Sequence, residues 1–142
     1  MVKTIIIDDS KIIGERLSMM FNEIDGVAFV GQGTCASEGL DLMHACKPDF
    51  VTLDISLPDI SGIEIIEDIK RINPEACIAV LTNYPYPSYR QRCAELGADY
   101  FFDKKNEFTK LCETLADLVK RKKSGLAGDC NRRNKSTVLP TN

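Results

Sequence analysis

The sequence predicts a doubly wound α/β domain: a five-stranded parallel sheet with helices on both faces. Three observations predict it. Short apolar runs, the length of buried strands, recur through the chain. Segments with apolar residues at helical spacing separate them, the pattern expected of β-α units rather than hairpins. Several of the apolar runs also end in charge: Thr4-Ile5-Ile6-Ile7 runs into Asp8-Asp9, Phe50-Val51-Thr52-Leu53 into Asp54, and Tyr100-Phe101-Phe102-Asp103 into Lys104.

Each element follows from local chemistry. Residues 3–8 read as the first strand. The first helix is capped by Ser10 and carries Ile13, Leu17, Met20, Phe21 and Ile24 on one stripe. A second strand spans Val27 to Thr34 and leaves through Gly31 and Gly33. Ser37-Glu38 opens a second helix, which carries Leu40 and Met43 inward until Lys47-Pro48 stops it. The third strand, 50–54, precedes a turn-rich loop, Leu57-Pro58-Asp59-Ile60-Ser61-Gly62. A third helix over 63–72 presents Ile65, Ile66, Ile69 and Ile72, and the fourth strand is 77–82. The fourth helix, 87–96, begins behind Pro85 and Pro87 and has a thin apolar stripe, with Gly97 suited to its C-cap. Residues 99–103 form the fifth strand. The last helix places Phe108, Leu111, Cys112, Leu115, Leu118 and Val119 on one face.

Composition narrows the function classes. With 142 residues, 44% of them apolar, the chain is long enough for one domain with a proper core. No apolar run approaches the roughly 20 residues that span a bilayer, and Met1-Val2-Lys3 leads straight into a strand, so a cytoplasmic protein without membrane partner is expected. The six cysteines, at 35, 46, 77, 93, 112 and 130, lack the C-x-x-C spacing of zinc or redox sites and are expected to be mostly buried thiols. His44 is the single histidine, which removes His-based metal and catalytic pairs within one chain. Residues 121–142 hold six basic residues against one acid, leaving the remaining 120 residues at −8. An acidic body suits a cation pocket and argues against a direct nucleic-acid surface. The apolar pattern ends near Lys123, so a domain over 1–122 is expected, followed by a polar basic tail, 123–142, expected to be disordered. About 20 residues are too few for an output domain that folds alone.

In open parallel sheets, ligands bind outside the carboxyl ends of the strands. That edge would collect Asp8, Asp9, Asp54 and Lys104. Three acids and a lysine make chemical sense together if a metal ion and a phosphoryl group share the site. The same edge also receives Thr82, and Asp54 is followed by Leu57-Pro58 and Ser61-Gly62. In this joint order, over roughly residues 2–120, the sequence resembles the receiver domain of two-component response regulators.

The resemblance implies a flavodoxin-like (βα)5 fold with strand order 2-1-3-4-5 and a role for each matching position. Asp54 would be the phosphoacceptor, charged by a histidine kinase or a histidine phosphotransfer protein. Asp8, Asp9, Asp54 and the backbone carbonyl of Ser56 would hold Mg²⁺, with Mn²⁺ the alternative ion. Thr82 and Lys104 would engage the phosphoryl group, and Phe101 would be the aromatic that swings inward on activation. Ser56, Asn83 and Tyr84 would tune phosphoryl lifetime, Tyr84 by shielding the acyl phosphate. Output would pass to a downstream target protein through a conformational switch, from a monomer or a phosphorylation-promoted dimer. The protein would not be an enzyme beyond catalysing its own phosphorylation and dephosphorylation. Two departures stand out. Asn83 follows Thr82 where receivers usually have Ala or Gly, and Lys105 rather than proline follows Lys104. Asn83 is the one hint toward an alternative, a phosphorylation-independent receiver-like binding module. A Mg²⁺-dependent phosphatase would need D-x-D after the first strand, whereas the chain offers Asp8-Asp9-Ser10.

Overall fold

The computed structural model describes residues 1–125. In chain order it holds β1 (Val2–Ile7), α1 (Lys11–Asn22), β2 (Val27–Gly33), α2 (Ala36–Cys46), β3 (Phe50–Leu53), a 3-10 turn (Gly62–Ile65) running into α3 (Ile66–Ile72), β4 (Cys77–Thr82), α4 (Pro87–Leu96), β5 (Tyr100–Asp103) and α5 (Phe108–Lys123). All strand pairings are parallel, and the order is β2-β1-β3-β4-β5, the expected topology.

Strand alternation sorts the interior into two cores. Ile6, Phe50, Cys77, Ala79, Leu81, Tyr100 and Phe102 face one way and pack on Leu17 and Phe21 of α1 and on Leu111, Leu115 and Leu118 of α5. Ile5, Ile7, Val51, Leu53, Ile78, Val80 and Phe101 face the other way, onto Met43 of α2, Ile66 and Ile69 of α3 and Cys93 of α4. β3 and β4 are buried on both faces, which is why their sequences read as unbroken apolar runs. Each fully buried Leu, Ile or Phe side chain contributes about 1.5–3 kcal/mol. The thin stripe expected on α4 is real: Cys93 is its one fully buried residue.

Several boundaries differ from the sequence reading for identifiable reasons. α2 starts at Ala36 with Cys35 as its N-cap, because the Cys35 sulfur accepts from the Glu38 N–H. Helix three enters through a 3-10 turn that Ser61 caps. β5 begins at Tyr100 rather than Asp99, because the Asp99 carboxylate is turned onto the Ile78 N–H and the Lys70 ammonium. α5 runs to Lys123, one residue past the expected domain end. The tail expected at 123–142 lies from residue 126 onward outside the described residues, as does Cys130. Cys77 and Cys93 are buried, while Cys35, Cys46 and Cys112 are half-buried.

The two cores fix the sheet's carboxyl edge. β1, β3, β4 and β5 all end there, at Ile7, Leu53, Thr82 and Asp103, so whatever follows them in sequence is brought together.

Candidate functional site

Asp8 and Asp54 are successors to neighbouring strands, and the sheet ladder extends to hold them. The Asp8 N–H donates to the Gly33 carbonyl at 3.0 Å, and the Asp54 N–H donates to the Ile7 carbonyl at 2.9 Å. Both residues are nearly inaccessible, at 1% and 4% exposure, whereas Asp9 is exposed. One carboxylate oxygen from each of Asp8, Asp9 and Asp54 lies within 4.8 Å of the others. Lys104 follows β5 and is held by its N–H donating to the Thr82 carbonyl at 2.8 Å. Its ammonium reaches back over the edge to Asp8 Oδ2 at 2.7 Å and Asp54 Oδ2 at 3.1 Å. The remaining oxygens are also engaged: Asp8 Oδ1 accepts from the Ser10 N–H at 2.9 Å, and Asp54 Oδ1 from the Ser56 N–H at 3.2 Å.

Electrostatics follow from this crowding. Burial, then repulsion from Asp8, pushes the Asp54 carboxyl above the ordinary aspartate range, against the opposing pull of Lys104 and the Ser56 N–H. Burial disfavours the Lys104 ammonium, yet the Asp8 and Asp54 carboxylates outweigh that penalty and raise its pKa. The cluster therefore carries more negative charge than one lysine offsets. Its donors are all hard carboxylate oxygens, the set that suits Mg²⁺ or Mn²⁺ rather than a soft metal. With exposed Asp9 on the open side, the residues fit a divalent ion that keeps part of its water shell.

A cleft of about 270 Å³ opens over the cluster, lined by Asp9, Ser10, Ile13, Asp54, Ser56, Asn83, Tyr84 and Lys104. Asn83 and Tyr84 are thus at its mouth, as is Ser56, all three exposed. Thr82 and Phe101 do not line it. Alternation turns both toward the opposite face, with Val80 beside Phe101 and Asp103 beside Thr82 in the ladder. Thr82 is fully buried and its hydroxyl accepts from the Tyr84 N–H at 3.0 Å. The Phe101 ring is buried at 2% exposure, and the Arg90 guanidinium lies 4.7 Å from its centroid. Phe101 therefore already points inward.

Two residues whose contacts sequence reasoning did not foresee, Asp59 and the Gly62 of the motif after Asp54, shape the loop that follows Asp54. Gly62 packs on the Asp54 backbone so closely that a Cβ there would sit 2.0 Å from the Asp54 carbonyl oxygen. The Gly62 N–H also closes the loop by donating to the Ile55 carbonyl at 2.8 Å. Asp59, at the loop's tip, accepts from the Ala36 and Ser37 N–H groups at 2.8 and 3.0 Å, so it caps α2 from a distance. Those two N–H donors hold its carboxyl down at about 2. Glycine and aspartate in a turn-rich loop signal a turn, but neither signal names the distant backbone they touch.

The chain is similar to known proteins at the level of sequence and of fold. A family model described as the response regulator receiver domain matches residues 4–116. The response regulator GacA of Pseudomonas aeruginosa is 29% identical over 104 residues, which cover 73% of this chain and 49% of that protein. A response regulator protein from Burkholderia pseudomallei, solved with a phosphorylated aspartic acid, a calcium ion and citrate, aligns with a TM-score of 0.74 at 25% identity. That alignment covers 87% of this chain and 71% of the other. A CheY-like receiver domain protein from Methanospirillum hungatei aligns with a TM-score of 0.76 at 22% identity, covering 87% and 97% of the two chains. The chain spans between 39% and 58% of the length of the first curated relatives it matches.

Proposed function

This chain belongs to the response regulator receiver family, and on that premise we propose that it accepts a phosphoryl group on Asp54 within a two-component or phosphorelay pathway. The observation that carries the reading is the Lys104 ammonium, seated on both Asp54 and Asp8 within a cluster of three carboxylates, two of which, Asp9 and Asp54, line the cleft above it. The donor would be a phosphohistidine on a histidine kinase or a histidine phosphotransfer protein, delivered through that cleft. One Asp54 carboxylate oxygen forms the new P–O bond as the donor's P–N bond breaks, and the electron pair leaves on the imidazole, which takes up a proton.

The residues of the chain divide the work. Asp8, Asp9, Asp54 and the Ser56 carbonyl would hold Mg²⁺, or Mn²⁺ in its place, which when bound offsets charge on the phosphoryl oxygens. Lys104 would add a point positive charge for the same oxygens. Ile13 and Tyr84 narrow the access of water to the cleft. Thr82 turns its hydroxyl toward the new phosphoryl group, and that pull on the end of β4 is the start of a switch read by a downstream target protein. The Burkholderia pseudomallei regulator, with its phosphorylated aspartic acid, supports the chemistry by likeness. Nucleic acid is not a direct partner in this reading, and no described helix is long and apolar enough to cross a membrane.

The test is Mg²⁺-dependent labelling with acetyl phosphate, followed by intact mass. One added phosphoryl mass, lost in Asp54→Ala and on chelation, is expected. A folded, Mg²⁺-binding protein that takes no label would overturn the reading and favour a phosphorylation-independent binding module, with Asn83 at the cleft mouth as the residue to change to alanine.

A further inference from the structure

The loop from Asp8 to Ser10 carries two of the three acids, yet its two flanking carbonyls are held by a residue far outside the cleft. The Gln32 side-chain amide donates from Nε2 to the Asp8 carbonyl at 2.8 Å and to the Ser10 carbonyl at 3.0 Å. Asp9 lies between those two anchor points. The neighbouring helix makes room for the amide: a Cβ on Gly14 of α1 would sit 1.8 Å from Gln32 Oε1 and 2.6 Å from Nε2.

A local irregularity aims Gln32 at this loop. Between Thr4↔Phe29 and Ile5↔Gly31 the β1–β2 register skips Val30, a bulge that leaves Val30 partly exposed. Phe29 packs in the core on the α1 and α5 side. Simple alternation would then turn Gln32 to the opposite side, toward α2. After the bulge Gln32 pairs with Ile6, which faces α1, so its side chain reaches the start of α1 instead.

We infer that Gln32 is a positioning residue for the divalent-cation site: its amide clamps the Asp8–Ser10 loop so that the Asp9 carboxylate is presented beside Asp8 and Asp54. This rests on the cation-binding reading above. Gln32 touches neither an ion nor Asp54. Its effect is to keep a short loop from sampling conformations in which Asp9 turns to solvent. Groups that orient metal ligands in this indirect way typically change affinity by about 10–100-fold when lost.

Gly14 supplies the discriminating variant. Alanine is the better helix former inside α1, so Gly14→Ala favours the helix while its methyl evicts the Gln32 amide. Gln32→Met removes the donor at similar size. Mg²⁺ affinity would be measured by calorimetry for wild type, Gln32→Met, Gly14→Ala and the double variant. Amide hydrogen exchange at residues 9–11 would be followed in the metal-free proteins. Each single variant is expected to bind Mg²⁺ about tenfold more weakly, with the double variant no weaker than either single one. Exchange at residues 9–11 is expected to quicken in all three variants, even where Gly14→Ala raises the melting temperature. Wild-type binding with unchanged affinity in the variants would overturn the clamp alone. A wild type that fails to bind Mg²⁺ would overturn the cation reading and the clamp with it. Fully additive losses in the double variant would show that Gly14 acts by another route and would also overturn it.

Discussion

On the α1 side of the sheet's carboxyl edge, Asp8, Asp54 and Lys104 are buried and tied to one another and to the backbone at nearly every polar atom. On the other side, residues 83–88 are exposed. Their first anchor is the Thr82 hydroxyl, followed by one turn bond from the Tyr86 N–H to the Tyr84 carbonyl and a run of rings, Tyr84, Tyr86 and Tyr89, with centroids 6.2 and 5.4 Å apart. The contrast teaches how one edge can serve two purposes. Ligands for an ion and a phosphoryl group gain from being held in place before either arrives. A segment that must respond to them gains from few buried contacts and a low cost of local rearrangement.

The sharpest way to break this comparison is to remove the group that joins Asp8 to Asp54. Lys104→Ala is expected to slow labelling by acetyl phosphate by about 100-fold while Mg²⁺ binds more tightly, because the competing ammonium is gone. Labelling kinetics beside a Mg²⁺ titration would check it, and an unchanged rate would reduce Lys104 to a counter-ion. Next in size is Gly62→Ala. Its methyl meets the Asp54 carbonyl at 2.0 Å, so a loss of about 3 kcal/mol is expected in urea unfolding; a variant as stable as wild type would show that the loop shifts freely.

Thr82→Ala probes the loosely held side. It removes a buried acceptor from the Tyr84 N–H, costing about 1 kcal/mol, and is expected to leave Mg²⁺ affinity nearly unchanged. If Asp54 accepts a phosphoryl group as proposed, the accompanying amide-spectrum changes expected at residues 83–90 should shrink sharply. Equal loss of Mg²⁺ binding would mean that the two sides are not separable. The smallest effect concerns pH. The Ala36 and Ser37 N–H groups lower the Asp59 carboxyl from 3.8 to about 2, so the folded state binds this proton more weakly than the unfolded chain does. Asp59 thus stabilises the fold fully above about 3.8, and that contribution disappears as pH falls through about 2. The melting temperatures of wild type and Asp59→Asn should differ at pH 5 and converge toward pH 2. A gap that stays constant across that range would show that the charge is irrelevant and only shape matters.

Much of this was legible in the residue order. Apolar runs and helical stripes placed every element, because β3 and β4 are buried on both faces and α1 and α5 on one stripe each. Asp8, Asp54 and Lys104 were readable as neighbours because parallel strands must end on one edge. Thr82 and Phe101 were harder. Both sit where expected in sequence, but alternation turns them to the face opposite the cleft, and three consecutive aromatics, Tyr100 to Phe102, hide which one faces which core. Cys35 as a helix cap and Asp99 as a β4 anchor were missed because their partners depend on how a loop turns.

What the sequence by itself determined is the period of each segment, the parallel five-stranded sheet and the gathering of charge at its carboxyl edge. These depend on burial and chain connectivity, which local patterns encode. Only the tertiary structure decided which side chains hold that charge in place. The Val30 bulge, a one-residue skip inside a run that reads as a plain strand, turned Gln32 toward the Asp8–Ser10 loop. The approach of Gly62 to the Asp54 carbonyl, and of Asp59 to the start of α2, likewise joined residues that share no local pattern. Such contacts depend on register and loop path, set by the packing of the whole domain rather than by the spacing of any one segment.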